Sequence, residues 1–140
     1  MPENICAYLL ETGQKVPQTA GEMARCAFES LALKYRSAVE DLERLTGRAF
    51  PVVRIVGGGC LNRLLCQMTA DAMNRTVVAG PVEASALGNA IIQAIATGHL
   101  RDIAAGRAAV SASVKREVYR PRQNSAWGDA FARFQRLERI

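Results

Sequence analysis

Histidine and tryptophan occur once each in the 140 residues, as His99 and Trp127, and aromatic side chains make up only 6% of the chain. One imidazole and four scattered cysteines (Cys6, Cys26, Cys60 and Cys66), with no C-x-x-C pair, lack the ligand spacing of a structural zinc site. Those thiols are expected to be free, as in a reducing compartment. No apolar run approaches the ~20 residues needed to cross a bilayer. The opening stretch MPENICAYLL carries Glu3 and no basic residue, unlike a signal peptide. The chain therefore reads as cytosolic. Its formal charge of +5 suits an anionic ligand and a solvated basic surface equally well.

Apolar residues are 49% of the sequence, which suits one ordinary globular domain. Residues 3–12 have a helical pattern stopped by Gly13. Thr19, three residues before Glu22, forms a capping-box signature and opens the longest helical pattern, running to Thr46 with Gly47 beyond it. Met23, Ala27, Leu31, Tyr35, Ala38, Leu42 and Leu45 recur there at spacings of three and four and are expected to form the buried stripe. Arg36, Glu40, Glu43 and Arg44 would then face water.

The β-branched run 50–56, bounded by Pro51 and Gly57, is a predicted strand. Asn62 is placed to cap a helix reaching about Met73, with Leu64, Leu65, Met68 and Ala72 on its apolar side. Residues 76–80 form a second predicted strand. Strand, glycine turn, helix and strand make a βαβ unit with parallel strands and a right-handed crossover. Pro81 is expected to open the next helix, with Glu83 in its first turn and Gly98 as its stop. Gly88 costs about 1 kcal/mol against alanine in a helix interior, which predicts close approach of a neighbouring element there. A short helical patch at 100–105 follows, then KREVYRPRQ, extended around Pro121. The last helix starts near Asn124 or Ser125 and carries Trp127, Phe131, Phe134 and Leu137 on one side.

The fold class is α/β, helix-rich, with a short parallel βαβ unit. Two strands are too few to be stable alone. The helices hold more apolar surface than this pair can cover. The chain is expected either to assemble with copies of itself or to be a piece of a larger protein.

The chemistry, if any, centres on RIVGGGCLNRLLCQ. Gly57, Gly58 and Gly59 free the main chain to take positive φ and remove every Cβ from one surface. A ring or sugar can lie against such bare backbone, and the N–H groups of the following helix favour an anion beside it. A plain tight turn is the alternative. A Walker A loop is excluded because no lysine follows the glycines. A dinucleotide fingerprint fails too, since Asn62 stands where its third glycine belongs and the second strand ends VVAG without a ribose-binding acid.

The whole segment RIVGGGCLNRLLCQMTADAMNRTVVAGPVEASALGNAIIQA resembles the adenosine-binding part of the FGGY carbohydrate kinases. The resemblance rests on the strand, the three glycines, the run of Gln67, Ala70 and Asp71, and the E-A-x-A-L-G helix. GGGCLN together with GPVEASALGN is most similar to the branch acting on L-rhamnulose, and VPQTAGEMARCAFESLALKYR fits that branch as well. It covers residues 1–98.

The resemblance implies that residues 1–140 are the C-terminal ATP-binding part of such a kinase, a partial ribonuclease-H-like (actin-like ATPase) domain. The full protein would transfer phosphate from ATP, with Mg2+, to the 1-hydroxyl of L-rhamnulose. Gly58 would touch the adenosine, with Gly57 and Gly59 shaping the turn. Asn62 would either cap the helix or reach the ribose or base edge. The phosphate-gripping loops, sugar-binding residues and catalytic aspartate of the family lie upstream of the matched part. No catalytic residue is therefore expected here, and Mg2+ would be held through phosphates and residues outside this chain. The remaining sheet strands would precede Met1, and the isolated chain would be inactive and self-associating. The alternatives are an FGGY kinase for another sugar (xylulose, fuculose or glycerol) and a non-catalytic interaction module.

Other polar residues have structural readings. Asp71 is expected on the surface or in a structural hydrogen bond, and Asp41 and Glu43 on the solvated side of the long helix. Cys60 and Cys66 would fill small gaps, and His99 would contact a helix end. The basic tail (Lys115, Arg116, Arg120, Arg122, Arg133, Arg136 and Arg139) reads as a solvated or subunit-facing surface, not a nucleic-acid or membrane site.

Overall fold

The computed structural model describes residues 1–122 and 125–138. Asn124, one of the two expected starts of the last helix, and Arg139 lie outside them. In order, the elements are α1 (Pro2–Glu11), α2 (Ala20–Thr46), β1 (Val52–Ile55), a 3-10 turn (Gly58–Leu61), α3 (Arg63–Met73), β2 (Thr76–Ala79), α4 (Ala84–Ala96), α5 (Ile103–Ser113), β3 (Glu117–Tyr119) and α6 (Ala126–Leu137). Among the described residues no helix is long and apolar enough to cross a membrane.

The end signals act as read. Thr19 Oγ1 accepts from Glu22 N–H at 3.1 Å, while Glu22 reaches back to the N–H of Gln18 at 2.6 Å. Gly47 closes α2 in the left-handed region, at φ 64°. Asn62 Oδ1 accepts from Leu65 N–H at 3.0 Å and starts α3.

The strands β1 and β2 pair in parallel, Val52 opposite Thr76 and Ile55 opposite Ala79. A third strand corrects the two-strand expectation: β3 pairs antiparallel to β2, with Ala79 opposite Glu117 and Val77 opposite Tyr119. It lies in the segment read only as extended. Three residues between Lys115, Arg116 and Arg120 carry no strand pattern of their own, and their pairing is supplied by β2. The middle strand is thus β2, and Val77 is fully buried.

Two cores result. Ala32 and Leu33 of α2, Met68 and Ala72 of α3 and Phe131 of α6 form one, with Phe28, Trp127 and Phe134 against it. Phe131 and Phe134 stack at 6.4 Å, and the Arg36 guanidinium lies 3.9 Å over the Phe131 ring. The aromatic side of the last helix is therefore core, as its spacing indicated. Cys60, Cys66, Ala70, Val77 and Ala79 form the second core under β1 and β3.

The expected stripe on α2 is turned the other way. Leu31, Tyr35, Ala38, Leu42 and Leu45 are exposed, Leu45 to 82%, and Met23 and Ala27 are half-buried. The side meeting α3 and α6 instead carries Phe28, Ala32 and the half-buried Arg36 and Glu40. Arg36 donates to the Ala72 carbonyl at 3.1 Å. Arg44 does face water, paired with Asp41.

Glu43 is not a solvated residue either. Both its oxygens accept from the Arg75 guanidinium, at 2.6 and 2.8 Å, and Phe50 N–H donates to it at 2.7 Å. The fork ties the end of α2 to the entry of β1 and the turn before β2. Hydrogen bonds from Arg75 and Phe50 hold the Glu43 carboxyl down at about 2.

Four smaller expectations also change. Leu64 is exposed, since α3 buries Leu65 and Met68 instead. The helix expected from Pro81 begins at Ala84, after a turn. The patch at 100–105 is the start of the longer α5, which Asp102 caps by accepting from Ala105 N–H at 2.8 Å. Finally, Gly88 meets nothing within 4 Å, whereas a Cβ on Gly106 would stand 2.4 Å from Ile91 Cγ2. The close approach exists, but α5 supplies its glycine.

Candidate functional site

The three glycines sit where the main chain leaves the C-terminal end of β1, the usual ligand side of a parallel pair. Gly57 takes φ 74° and ψ −166°, a conformation that suits glycine. Its N–H donates to the Pro81 carbonyl at 3.0 Å, and Gly80 N–H donates to Ile55 at 2.9 Å, so the exits of β1 and β2 are stitched together.

Gly58 and Gly59 are exposed. A Cβ on Gly58 would meet no atom within 4 Å; one on Gly59 would lie 3.7 Å from Ile55 Cγ2. The middle glycine thus offers bare backbone with open space in front of it, which fits a flat ligand group lying against the chain. Between the glycines and the α-helix that Asn62 caps, the chain makes one further turn. A 3-10 turn from Gly58 to Leu61 intervenes, with Cys60 N–H bonded to Gly57 at 3.1 Å and Asn62 N–H to Gly59 at 3.2 Å.

Beneath this turn lies Cys66, fully buried, its thiol pointing at the Cys60 and Gly59 carbonyls at 3.8 and 4.0 Å. Burial pushes that thiol up from its ordinary value, so it stays protonated and acts as a small packing group. Both Cys60 and Cys66 are free.

Asn62 uses Oδ1 for its cap, which leaves the Nδ2 end as the part able to meet a ligand. Its neighbour Arg63, the first residue of α3, was not singled out in the sequence, although it is the next residue of the same motif. Arg63 Nη2 donates to Glu117 Oε1 at 2.7 Å, and the Tyr119 hydroxyl donates to the other Glu117 oxygen at 2.5 Å. Those two hydrogen bonds lower the Glu117 carboxyl below its ordinary range, and burial with that bond pushes Tyr119 up to about 12.

Gln67 and Asp71 have a structural role. Gln67 Nε2 donates to Asp71 Oδ1 at 2.8 Å and to the Arg120 carbonyl at 2.9 Å, while Arg122 N–H donates to Asp71 Oδ1 at 2.7 Å. They clamp the chain as it leaves β3. His99 exchanges a 2.9 Å hydrogen bond with Thr97 at the end of α4, as expected.

Strand alternation separates two faces. Val53 and Ile55 turn towards α3, and Val52, Arg54 and Val56 turn away. On that second face a cleft of about 730 Å³ adjoins the turn through Val56 and Pro81, between the sheet, α4 and α5. Its walls include Ala84, Leu87 and Gly88, with exposed Arg54, Arg107 and Arg116 among its lining residues. Among the described residues no three His, Cys, Asp or Glu side chains converge as metal ligands.

Residues 1–97 match the family described as "FGGY family of carbohydrate kinases, C-terminal domain". A curated rhamnulokinase of Bacteroides thetaiotaomicron is 42% identical over 139 residues, 99% of this chain and 29% of that protein. One from Enterococcus faecalis is 51% identical over 81% of this chain and 23% of its own length. One from an Enterobacter species is 46% identical over 86% of the chain and 25% of its length. The chain therefore spans less than a third of the length of these curated relatives.

Proposed function

The chain belongs to the FGGY family of carbohydrate kinases, and on that premise we propose that residues 1–140 are the adenosine-binding part of an enzyme that phosphorylates L-rhamnulose at its 1-hydroxyl. The observation that carries the nucleotide half of this reading is the bare, exposed backbone at Gly58, held at the end of β1 by the Gly57–Pro81 and Gly80–Ile55 hydrogen bonds. Adenosine lies against Gly58, Gly57 and Gly59 shape the bend, and Asn62 presents its amide to the ribose or base. The sugar half is supported by relatives named rhamnulokinase at 42% to 51% identity.

Phosphoryl transfer needs a base at the sugar hydroxyl, groups around the γ-phosphate and a metal held between phosphates. In this reading those lie in the rest of the enzyme, and the present residues bind and orient the nucleoside. ATP with Mg2+ is the phosphate donor. By itself the chain is inactive, and it self-associates through the exposed stripe of α2 and the open edge of β1. The enzyme works in the cytoplasm.

Titration with ATP, ADP and inorganic phosphate tests the seat. Affinity is expected near millimolar, about −4 kcal/mol, dependent on the adenine and lost in Gly58→Val. Equal behaviour of parent and variant would favour a non-catalytic interaction module. Sugar specificity is tested with the complete enzyme: turnover of L-rhamnulose above xylulose, fuculose and glycerol supports the assignment, and preference for another of these replaces it.

A further inference from the structure

Resting on the adenosine seat just described, we propose that Arg63 is a purine-contacting residue of that seat and that Glu117 is the positioning residue that sets its guanidinium. Arg63 directly follows Asn62 and begins α3, so its main chain is continuous with the turn. Its side chain is 78% exposed, yet it is not loose: Glu117, 54 residues on, holds it at 2.7 Å. Glu117 is in turn fixed by the Tyr119 hydroxyl at 2.5 Å. Tyr119 packs against the core that holds Cys66 under the turn, and the Gln67–Asp71 clamp secures the strand's exit.

The ion pair decides which part of a nucleotide Arg63 serves. An unpaired arginine would grip phosphate. Here one edge of the guanidinium is taken and its charge is offset by Glu117, so phosphate gains little from it. What stays open is the flat face of a planar, oriented cation, and that face stacks on aromatic rings. The brace also lies in β3, beyond the residues 1–97 that match the family domain.

The test titrates the chain with adenosine and, separately, with inorganic tripolyphosphate, followed by amide NMR shifts, with urea unfolding of each variant alongside. Arg63→Ala is expected to weaken adenosine about three- to fivefold, the size of an exposed cation–π contact, and to leave tripolyphosphate unchanged. Arg25→Ala, which removes the same charge from an exposed ion pair with Glu29 on α2, should leave adenosine unchanged. The exchange Arg63→Glu with Glu117→Arg rebuilds the ion pair. It should restore the unfolding midpoint but not adenosine affinity, whereas a merely structural pair would restore both. Restored affinity in the exchange, or equal losses in Arg63→Ala and Arg25→Ala, overturns the inference. If Gly58→Val loses adenosine and Arg63→Ala does not, Arg63 alone is wrong. If parent and Gly58→Val bind adenosine alike, the seat itself is wrong, and Arg63 with it.

Discussion

Two helical glycines allow one substitution to be predicted with opposite signs. Alanine in a helix interior is favoured over glycine by about 1 kcal/mol. At Gly88, where no atom stands within 4 Å of a Cβ, Gly88→Ala should gain about that amount. At Gly106 the same gain meets a collision: the new Cβ lies 2.4, 3.0 and 3.2 Å from Ile91 Cγ2, Cγ1 and Cδ1. Carbon atoms pack best near 3.5–4.0 Å. All three neighbours belong to one β-branched side chain, which has little χ1 freedom in a helix. Overpacking of this kind costs about 1–3 kcal/mol. With the propensity gain subtracted and relaxation restricted, Gly106→Ala should lose about 1–2 kcal/mol.

The two variants should therefore differ by about 2–3 kcal/mol in urea unfolding followed by far-UV circular dichroism. Ile91→Ala removes all three clashing atoms. In the double variant the alanine at 106 should regain its propensity benefit, giving a favourable coupling of about 2–3 kcal/mol. Gly106→Ala at least as stable as the parent, or strict additivity with Ile91→Ala, would refute the close approach of α4 and α5.

Three further outcomes are expected. Glu43 titrates at about 2 when folded, below its ordinary 4.5, so its stabilising contribution is complete above pH 4.5 and drains away as pH falls towards 2. The melting midpoint of the parent should consequently fall more steeply across that window than that of Glu43→Gln, and parallel curves would count against the Glu43–Arg75 fork. Asn62→Ala should cost about 1 kcal/mol through loss of the α3 cap, while Asn62→Asp keeps the accepting oxygen and most of that stability. If the amide end meets ribose or base, Asn62→Asp nonetheless weakens adenosine; unaltered affinity assigns Asn62 to capping alone. Phe131, 5% exposed between α2, α3 and α6, should cost about 3–5 kcal/mol when cut to alanine. A loss below about 1 kcal/mol in denaturant titration would mean that α6 does not pack there.

Signals that act within a few residues were legible. Thr19, Gly47 and Asn62 mark helix ends by bonds spanning three or four positions, and β1 and β2 are β-branched in their own right. The glycine turn was legible for the same reason, because backbone freedom belongs to the residue itself. What escaped depends on partners far along the chain. Glu43 finds Arg75 across 32 positions and Arg63 finds Glu117 across 54, and no local pattern announces either. The strand β3 is a strand because β2 offers it an edge.

The inverted stripe of α2 follows the same rule. Periodicity measures where apolar residues recur, but burial depends on what arrives to cover them. Leu31, Tyr35, Ala38, Leu42 and Leu45 follow one another at steps of four, three, four and three, the spacing of a seam that meets another surface. The helices α3 and α6 meet the neighbouring side, through small Ala32 and through Arg36 laid on Phe131. A helix of 27 residues has room for two contact faces, and the apolar α4, without one buried residue, stands in the same condition. The periodic reading and the fold therefore describe different faces of one helix. A stripe this regular left in water is the strongest physical reason to expect that α2 has a second partner, and the open edge of β1 points to the same need.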